Sequence, residues 1–252
     1  MIEVNNISKS FGSHHVLKNI SAKFYPGKVN FVIGQSGSGK SVLTKCVVGL
    51  MEVNKGNVIF DGRNFTVLDR WDRKDIRQEM GMLFQGSALF SSMTVEENIL
   101  FPLQMFSEMT KSEMLDRVNF CLKHVNLEGK NKMYPSELSG GMQKRTGIAR
   151  AIAMNPKYLF CDEPNSGLDP QTAIVIDNLI KEITYEFEST TVVISHDMNS
   201  VIEIGDHINF IHDGQLWWQG DKRAILTSEN KELNDFVFPS DFMKEIKDNL
   251  KR

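Results

Sequence analysis

The sequence predicts an α/β fold in which the main sheet carries an antiparallel appendage. Two patterns support this prediction. The first quarter of the chain is rich in strand and hairpin signals, and the remainder alternates short apolar runs with segments of helical periodicity. The chain has 252 residues, of which 41% are hydrophobic and 24% are charged. A chain of this size and composition can bury the core of one large domain or of two small ones.

The N-terminal strands are predicted from the alternation of apolar and polar residues. Their turns are predicted from the pairs Pro26-Gly27 and Asp61-Gly62. After the third strand, apolar residues recur at helical spacing from Val42 to Met51, which predicts a helix. We expect the strands at residues 2–7, 16–25, 29–33, 56–60 and 65–68.

The rest of the chain contains clearer helices. A segment rich in Phe and Met, residues 89–109, precedes a helix for which Thr110 and Glu113 form a capping-box pattern. The pair Asp213-Gly214 predicts a final hairpin. Further helices are expected at residues 142–154, 172–187 and 198–204, and strands at 81–84, 158–161, 190–195, 208–211 and 215–218.

Composition argues against several classes of protein. A formal charge of -3 and a pI of about 6.1 do not favour binding to nucleic acid, so no such partner is expected. Cys46, Cys121 and Cys161 lie far apart and form no CxxC pair, which argues against a disulfide framework or a zinc site. No signal peptide is apparent, nor an apolar run of the roughly 20 residues that cross a bilayer.

The segment from Gly34 to Ser41 matches the pattern GxxxxGK[ST] at every position. An apolar strand precedes it and an amphipathic helix follows, as in loops whose backbone N–H groups bind phosphate. Lys40 is expected to reach the β- and γ-phosphates, and Ser41 to bind Mg²⁺. A chance glycine-rich turn is not expected to have both flanking elements. The predicted nucleotide-binding residues are Gly34, Gln35, Ser36, Gly37, Ser38, Gly39, Lys40, Ser41 and Val42.

Two carboxylates, Asp162 and Glu163, directly follow the apolar strand predicted at residues 158–161. Ligands of α/β sheets bind at the carboxyl ends of strands. We therefore expect Asp162 to act on Mg²⁺, directly or through water, and Glu163 to act on the attacking water as a general base. Without the phosphate loop, the same pair would also fit an acidic cap of the next segment.

The run Leu138-Ser139-Gly140-Gly141-Met142 stands shortly before that strand. Together with the two nucleotide motifs, it resembles the signature of ABC transporter ATP-binding subunits, usually LSGGQ, with Met142 in place of Gln. The resemblance covers nearly the whole chain. It implies an α/β P-loop NTPase (RecA-like) core with an antiparallel β subdomain and an α-helical subdomain, the ABC ATPase fold, and it implies ATP and Mg²⁺ as ligands.

Other motifs of the family follow in its order. The resemblance implies that Phe11 stacks on adenine and that Gln85 is the Q-loop glutamine, which contacts nucleotide and Mg²⁺. It also implies that Asp169 ends the D-loop in the nucleotide site, and that His196 is the switch histidine, catalytic together with Lys40 and Glu163. Taken singly, Phe11 would be more typical of a core and His196 of a surface or core histidine. The joint placement of six motifs favours the site.

Ser139, Gly140 and Gly141 open the helix predicted at residues 142–154 and form a second anion site. One nucleotide is not easily held by both this site and the phosphate loop of the same chain. The resemblance implies a head-to-tail homodimer, with each ATP between residues 34–41 of one copy and 139–141 of the other.

Within the family, residues 88–95, 98–103 and 135–142 and the run Asp235-Phe236-Val237 resemble ATPases of Mla-type (Mkl-type) phospholipid transport systems. This implies ATP-driven phospholipid transport through a separate integral membrane permease. It also implies a small STAS-domain protein and an MCE-type lipid-binding protein as partners. The subunit would then lie peripherally on the cytoplasmic face of the bacterial inner membrane.

Three alternatives stay open. Methionine and other small-solute importer ATPases share several of these features. Non-transport ABC ATPases of DNA repair or translation usually carry two cassettes or a long coiled coil, for which 252 residues leave no room. A module that binds ATP without turnover is disfavoured by the presence of Lys40, Asp162, Glu163 and His196.

We expect residues 1–240 to form the ATP-binding domain, with a helical subdomain at about 87–155, and residues 241–252 to form an amphipathic tail. The tail is too short to be stable alone and would pack on the neighbouring copy, on a small partner or on its own domain. The Phe/Met-rich segment is expected to form a permease surface, although core packing is an alternative for any single residue. Its residues are Phe84, Leu89, Phe90, Met93, Phe101, Leu103, Met105 and Phe106.

Overall fold

The computed structural model describes residues 1–69, 71–240, 244, 245 and 247. Two compact units make up the chain: Met1–Asp69 with Ile194–Arg252, and Arg70–Val193. The strands are β1 (Ile2–Phe11), β2 (His14–Phe24), β3 (Lys28–Ile33), β4 (Lys55–Phe60), β5 (Arg63–Asn64), β6 (Met80–Leu83), β7 (Tyr158–Asp162), β8 (Thr190–Ile194), β9 (His207–His212) and β10 (Gln215–Gly220). The helices are α1 (Lys40–Val47), α2 (Asp72–Gln78), α3 (Val95–Phe106), α4 (Lys111–His124), α5 (Gly140–Ile152), α6 (Pro170–Glu186), α7 (Met198–Ile204), α8 (Lys222–Thr227) and α9 (Lys231–Val237).

The first unit contains the antiparallel appendage that the sequence predicts, with strand order β2-β1-β4-β5. Ile2 lies opposite both Phe24 and Phe60 in the register, and all three side chains are buried. In the same unit β3 runs parallel to β9, and β10 pairs with β9 as an antiparallel hairpin. The hairpin turns at Asp213-Gly214, as predicted, and Asp213 has a positive φ of 46°.

The strand predicted at residues 65–68 is wrong, because β5 covers only Arg63–Asn64. Phe65 turns into the core instead. Its N–H donates to the carbonyl of Val58 at 2.9 Å, and its ring meets that of Phe60 edge-on, with centroids 5.5 Å apart. Burial of this ring draws the chain away from the sheet edge after two paired residues.

The helix predicted through Met51 ends earlier, since α1 stops at Val47. Gly49 has a φ of 72°, and the N–H groups of Leu50 and Met51 both donate to the carbonyl of Lys45, at 2.8 and 3.0 Å. A left-handed glycine with such returning hydrogen bonds is a common helix end. Leu50 is therefore exposed rather than part of an apolar helix face.

In the second unit β6 runs parallel to β7, with Leu83 opposite Cys161, and β8 lies on the other side of β7. The helix α5 packs on β6, and α3 and α4 pack on α5. The predicted capping box of α4 is confirmed. Thr110 N–H donates to Glu113 Oε2 at 2.7 Å, and Thr110 Oγ1 accepts from Glu113 N–H.

The Phe/Met-rich segment contains α3, a helix that the periodicity did not predict. Its start, however, carries the same signal as α4, because Thr94 and Glu97 also form a capping box. The assignment of Leu103 to an exposed surface is wrong, since this side chain is fully buried. Of the eight side chains expected to form a permease surface, four are exposed by 39–60%, namely Phe84, Phe90, Met105 and Phe106. Leu89, Met93 and Phe101 are half-buried.

Two helices begin earlier than the apolar pattern predicts, because their N-cap residues determine where they start. α5 begins at Gly140 after its cap Ser139, and α6 begins at Pro170 after its cap Asp169. The short helices α2, α8 and α9 were not predicted. Asp221 caps α8 by accepting from the N–H groups of Arg223 and Ala224, at 2.9 and 2.8 Å.

The predicted amphipathic tail, residues 241–252, lies outside the described residues except for positions 244, 245 and 247. Lys247 is helical and buried. Its ammonium donates to Ser228 O at 2.8 Å and to Asn234 Oδ1, and it lies 5.2 Å from the ring centroid of Phe238. For this residue, the contacts are those of a tail that packs on its own domain.

The three cysteines, Cys46, Cys121 and Cys161, are free and buried. Burial raises the pKa of the Cys161 thiol to about 12. Of the helices in the described residues, none is both long and apolar enough to cross a membrane.

Candidate functional site

The loop from Gly34 to Gly39 connects the buried strand β3 to α1. Gly34 has a φ of 150°, and a Cβ there would lie 2.2 Å from the carbonyl oxygen of Ile211. Gly39 has a φ of 105°, and its Cβ would lie 2.9 Å from Leu17 Cδ2. Glycine is therefore required at position 34 by the close approach of another backbone segment, and at position 39 by the positive φ.

Polar side chains line this loop. Lys40 folds back over it, buried, and its ammonium donates to Gly34 O at 2.7 Å and Gln35 O at 2.9 Å. Ser38 Oγ is buried and has no hydrogen-bond partner among the described residues. An unsatisfied buried hydroxyl costs about 1–3 kcal/mol. A phosphate oxygen would satisfy this hydroxyl, so the loop fits a phosphate ligand.

The amino end of α1 faces the same loop. In the described part of the chain no side chain caps its first turn, where the first residue is Lys40 rather than a carboxylate. Uncapped N–H groups at a helix N-terminus carry partial positive charge and bind anions. Ser41 is exposed here and offers a hydroxyl oxygen of the kind that Mg²⁺ accepts.

Phe11 lies at the end of β1, opposite His14, and is 48% exposed. The ammonium of Lys9 lies 5.3 Å from its ring centroid. A core aromatic would be buried, so this exposure favours the ring as a stacking surface.

The acidic pair lies where the sequence predicts it. Residues 158–161 of β7 are buried, and Asp162 and Glu163 at its end are half-buried. Glu163 has a φ of 48°, and its carbonyl accepts from Ser166 N–H at 3.2 Å. Left-handed backbone is uncommon outside glycine and concentrates at functional sites.

Gln85 follows β6 and is exposed. The next loop residues, Ser87 and Ala88, have positive φ angles of 60° and 46°. Arg150 of α5 holds both of them, donating to Ser87 O at 2.6 Å and to Ala88 O at 2.7 Å. Burial lowers the pKa of Arg150. The loop is thus fixed to α5 beside an exposed Gln85.

Ser139 caps α5, and its Oγ accepts from Met142 N–H at 3.3 Å. Ser139 and Gly140 are exposed, whereas Gly141 is buried. The first turn of α5 contains no carboxylate. This arrangement leaves an exposed helix N-terminus of the kind that binds anions.

Asp169 is the cap of α6. Its two carboxylate oxygens accept from Thr172 N–H at 3.0 Å and from Thr172 Oγ1 at 2.5 Å. These hydrogen bonds lower the pKa of Asp169. The same loop is fixed by Asn165, whose amide donates to the buried Asp177 at 2.8 Å.

His196 is exposed and directly follows β8. Its neighbours are fixed: Ser195 Oγ accepts from Asp197 N–H at 3.0 Å, and Asp197 caps α7 by accepting from Asn199 N–H at 2.9 Å.

The expected site residues are divided between the two units. The first contains Phe11, the phosphate loop and His196, and the second contains Gln85, Ser139, Asp162, Glu163 and Asp169. Within the second unit, Gln85 and Glu163 are brought together by a residue that the sequence did not single out. Lys144 of α5 donates to the backbone carbonyls of both.

Comparison with known proteins gives a consistent family. The ABC transporter family profile matches residues 17–166. The chain is 36% identical over 236 residues to the probable ribonucleotide transport ATP-binding protein mkl of Mycobacterium tuberculosis, covering 94% of this chain and 66% of the relative. It is 39% identical over 254 residues to the methionine import ATP-binding protein MetN of Desulfitobacterium hafniense, covering 98% of this chain and 74% of the relative.

Solved structures of similar fold agree. The dimeric bacterial ABC transporter cassette MJ0796 is 32% identical with a TM-score of 0.81, covering 88% of this chain and 99% of that one. The protein cbiO1 of Clostridium perfringens, part of the ABC transporter complex cbiONQ, is 26% identical with a TM-score of 0.84, covering 100% and 98%. The expected fold, an ABC ATPase cassette, is confirmed. With its profile match and these relatives, the chain belongs to the ABC transporter family of ATP-binding proteins.

Proposed function

We propose that this chain is the ATP-binding and ATP-hydrolysing subunit of a transporter and drives transport through a separate membrane permease. The observation that carries the proposal is the phosphate loop, where the Lys40 ammonium and the unpartnered Ser38 hydroxyl lie beside the uncapped end of α1. A ligand with several phosphate oxygens satisfies all three features together.

The roles of the other residues follow from their chemistry and their family motifs. Glu163 acts as general base toward the attacking water, and His196 and Lys40 stabilise the transferred phosphoryl group. The hydroxyl, amide and carboxylate oxygens of Ser41, Gln85 and Asp162 are hard donors of the kind that hold Mg²⁺. When bound, Mg²⁺ supplies charge neutralisation at the β- and γ-phosphates. Phe11 stacks on the base.

Hydrolysis in this proposal needs two copies of the chain, arranged head to tail. The exposed amino end of α5, with Ser139 as its cap, is the second anion site and serves the nucleotide bound to the neighbouring copy. The dimeric state of a similar cassette, MJ0796, supports this arrangement.

We propose that the exposed side chains around the Q-loop contact the permease. A groove of about 410 Å³ in the second unit is lined by apolar residues together with Arg150. Exposed aromatic rings at its edge favour contact with another protein. Its principal apolar residues are Met82, Phe84, Phe90, Phe101, Pro102 and Met154.

The proposed substrate is a phospholipid, with the subunit on the cytoplasmic face of the inner membrane and with STAS-domain and MCE-type partners. The Mla/Mkl-type stretches of the sequence support this choice, although the mkl relative is named as a probable ribonucleotide transport protein. The MetN relative supports a small-solute importer as the second candidate. The chain spans 66% of the length of the mkl relative from Mycobacterium tuberculosis and 74% of this MetN, so the activity and partners of those longer proteins are proposals here.

We further propose that residues 1–240 form the ATP-binding domain, with the helical subdomain at about 87–155, and that residues 241–252 form a separate tail. Lys247 ties this tail to Ser228 and Asn234.

The test is to purify the full-length chain from detergent-solubilised membranes of its own source and to reconstitute it with the proteins that accompany it. We expect an integral membrane protein in the preparation, and phosphate release from ATP that phospholipid stimulates and L-methionine does not. Stimulation by methionine alone favours the second candidate. Absence of phosphate release with either substrate contradicts the proposal as a whole.

A further inference from the structure

Lys144 is a buried lysine on α5 that the expected ATPase motifs do not include. It is 5% exposed. Lysine is almost never fully buried unless its charge is satisfied, so the position of its ammonium requires an explanation. Two backbone carbonyls accept from this ammonium: that of Gln85, at close range, and that of Glu163, at 3.2 Å.

These two acceptors belong to different segments of the second unit. Gln85 stands in the loop after β6, and Glu163 directly follows β7 and has left-handed backbone with a φ of 48°. A single charged donor between them fixes their separation, because hydrogen bonds from charged groups are short and strong. The carbonyl that accepts from Lys144 and the proposed catalytic carboxylate belong to the same residue, Glu163.

The loop after β6 is also held beyond Gln85, at Ser87 and Ala88. Arg150, six residues further along α5, donates to the carbonyls of Ser87 and Ala88. The same helix therefore sets both the loop and the backbone of the proposed base, and its own N-terminus is the proposed second phosphate site. Lys144 contacts the loop and Glu163 together.

We infer that Lys144 is a positioning residue for hydrolysis: its ammonium joins the Gln85 loop to the Glu163 backbone and holds the Glu163 carboxylate in its working position. The inference rests on the proposed role of Glu163 as general base. In this inference Lys144 acts through the carbonyls of Gln85 and Glu163, and not by contact with the nucleotide. Movement of the Gln85 loop or of α5 is transmitted through this lysine to the base.

The main test compares ATP turnover in full-length Lys144→Met with wild type. Methionine keeps an unbranched, apolar side chain as far as the position of Cε, lacks the ammonium, and therefore removes both hydrogen bonds. We expect kcat to fall by about 10- to 100-fold, because small displacements of a catalytic group have effects of this size. The KM for ATP and the affinity for a fluorescent ATP analogue should stay within about 2-fold, because no nucleotide contact is lost.

Arg145→Met is the matched control. Arg145 is the next residue of α5 and also donates to two backbone carbonyls, those of Val125 and Asn126, which directly follow α4. Its removal should lower the midpoint of thermal unfolding as Lys144→Met does, yet keep kcat within about 2-fold. Equal loss of kcat in both variants overturns the inference, since a general effect of stability would then explain it.

Two further variants separate positioning from other effects. Lys144→Arg retains the charge and the donors and should recover kcat to within about 3-fold of wild type. When Lys144→Met is added to Glu163→Gln, kcat should fall by less than about 2-fold relative to Glu163→Gln alone, because Lys144 acts through Glu163. Losses that multiply, or wild-type kcat in Lys144→Met, refute the inference.

If Lys144→Met does not fold, Lys144→Gln replaces it. Glutamine keeps N–H donors but ends one bond short, so it cannot span both carbonyls. A kcat loss of about 5-fold at unchanged KM is expected, and wild-type kcat overturns the inference. Near wild-type turnover in Glu163→Gln alone is a separate result, which removes the proposed role of Glu163 rather than that of Lys144.

Discussion

At the scale of single residues, Lys40 shows how the phosphate loop is prepared for a ligand. Its ammonium is already inside the loop, held by the carbonyls of Gly34 and Gln35. Exchange of these neutral acceptors for phosphate oxygens adds attraction between opposite charges to hydrogen bonds whose donor is already charged. Binding therefore needs a short rotation of one side chain, because the ammonium already lies where phosphate would bind.

Lys40→Ala should accordingly weaken nucleotide binding itself. The loss of hydrogen bonds from a charged donor, about 1.5–3 kcal/mol, corresponds to roughly 10- to 100-fold in Kd for ATP. Titration with a fluorescent ATP analogue measures this change. Lys45→Ala is the control, because Lys45 is exposed in the last turn of the same helix, and its Kd should match wild type. Equal affinity in Lys40→Ala and wild type would contradict the phosphate-loop assignment.

At the scale of elements, α3 separates side chains that hold the fold from those available to a partner. Leu103 is fully buried, whereas Phe106, three residues further along α3, is 46% exposed. The sequence alone grouped both in one apolar surface. The difference in burial predicts that a substitution lowers the free energy of unfolding more at Leu103 than at Phe106.

Leu103→Ala should lower the free energy of unfolding by about 2–5 kcal/mol, because it leaves a cavity in the core. Phe106→Ala should lower it by less than about 1 kcal/mol. Denaturant titration of the two full-length variants measures the difference. If the Phe/Met-rich surface expected from the sequence contacts a permease, Phe106→Ala should instead reduce transporter-coupled ATP turnover. Equal destabilisation by both substitutions would show that Phe106 also belongs to the core.

Elements with two independent signals could be predicted from the sequence. The helix α4 had both a capping box and an apolar face, and the β9–β10 hairpin had both apolar strands and the pair Asp213-Gly214. Tertiary packing decided the others. Phe65 left its expected strand for the core, and Gly49 ended α1 before its apolar pattern ended.

The same limit applies to the site. Motif residues such as Ser38 and Glu163 were predicted because their spacing is characteristic. Lys144 was not, since a lysine in the polar pattern of a helix gives no sign that its ammonium will be buried between two backbone carbonyls from distant segments. The buried position of the ammonium depends on the packing of α5 on β6, which is known only from the structure.

At the scale of the whole molecule, the motifs are divided between two units. The anion site at the N-terminus of α5 is expected to serve the nucleotide that the phosphate loop of a second copy binds. Turnover per chain should then rise with chain concentration until the dimer is saturated. Ser139→Arg should abolish this rise, because arginine at the exposed N-terminus of α5 blocks the shared site, while ATP binding to the monomer stays unchanged.

Ser136→Arg is the control for this prediction, since Ser136 is exposed three residues earlier and outside the expected contact. Phosphate release measured over a range of chain concentrations distinguishes the variants. Identical concentration dependence in Ser139→Arg and wild type would count against the two-copy arrangement.

The central claim, that the chain hydrolyses ATP with Glu163 as general base, is tested most directly by phosphate release from wild type and Glu163→Gln. Glu188→Gln is the control, because Glu188 is an exposed glutamate with a similar φ of 50°. The account predicts that Glu163→Gln lowers kcat by about 10²–10⁴-fold at unchanged ATP affinity, while Glu188→Gln matches wild type. Turnover by Glu163→Gln near that of wild type would contradict it.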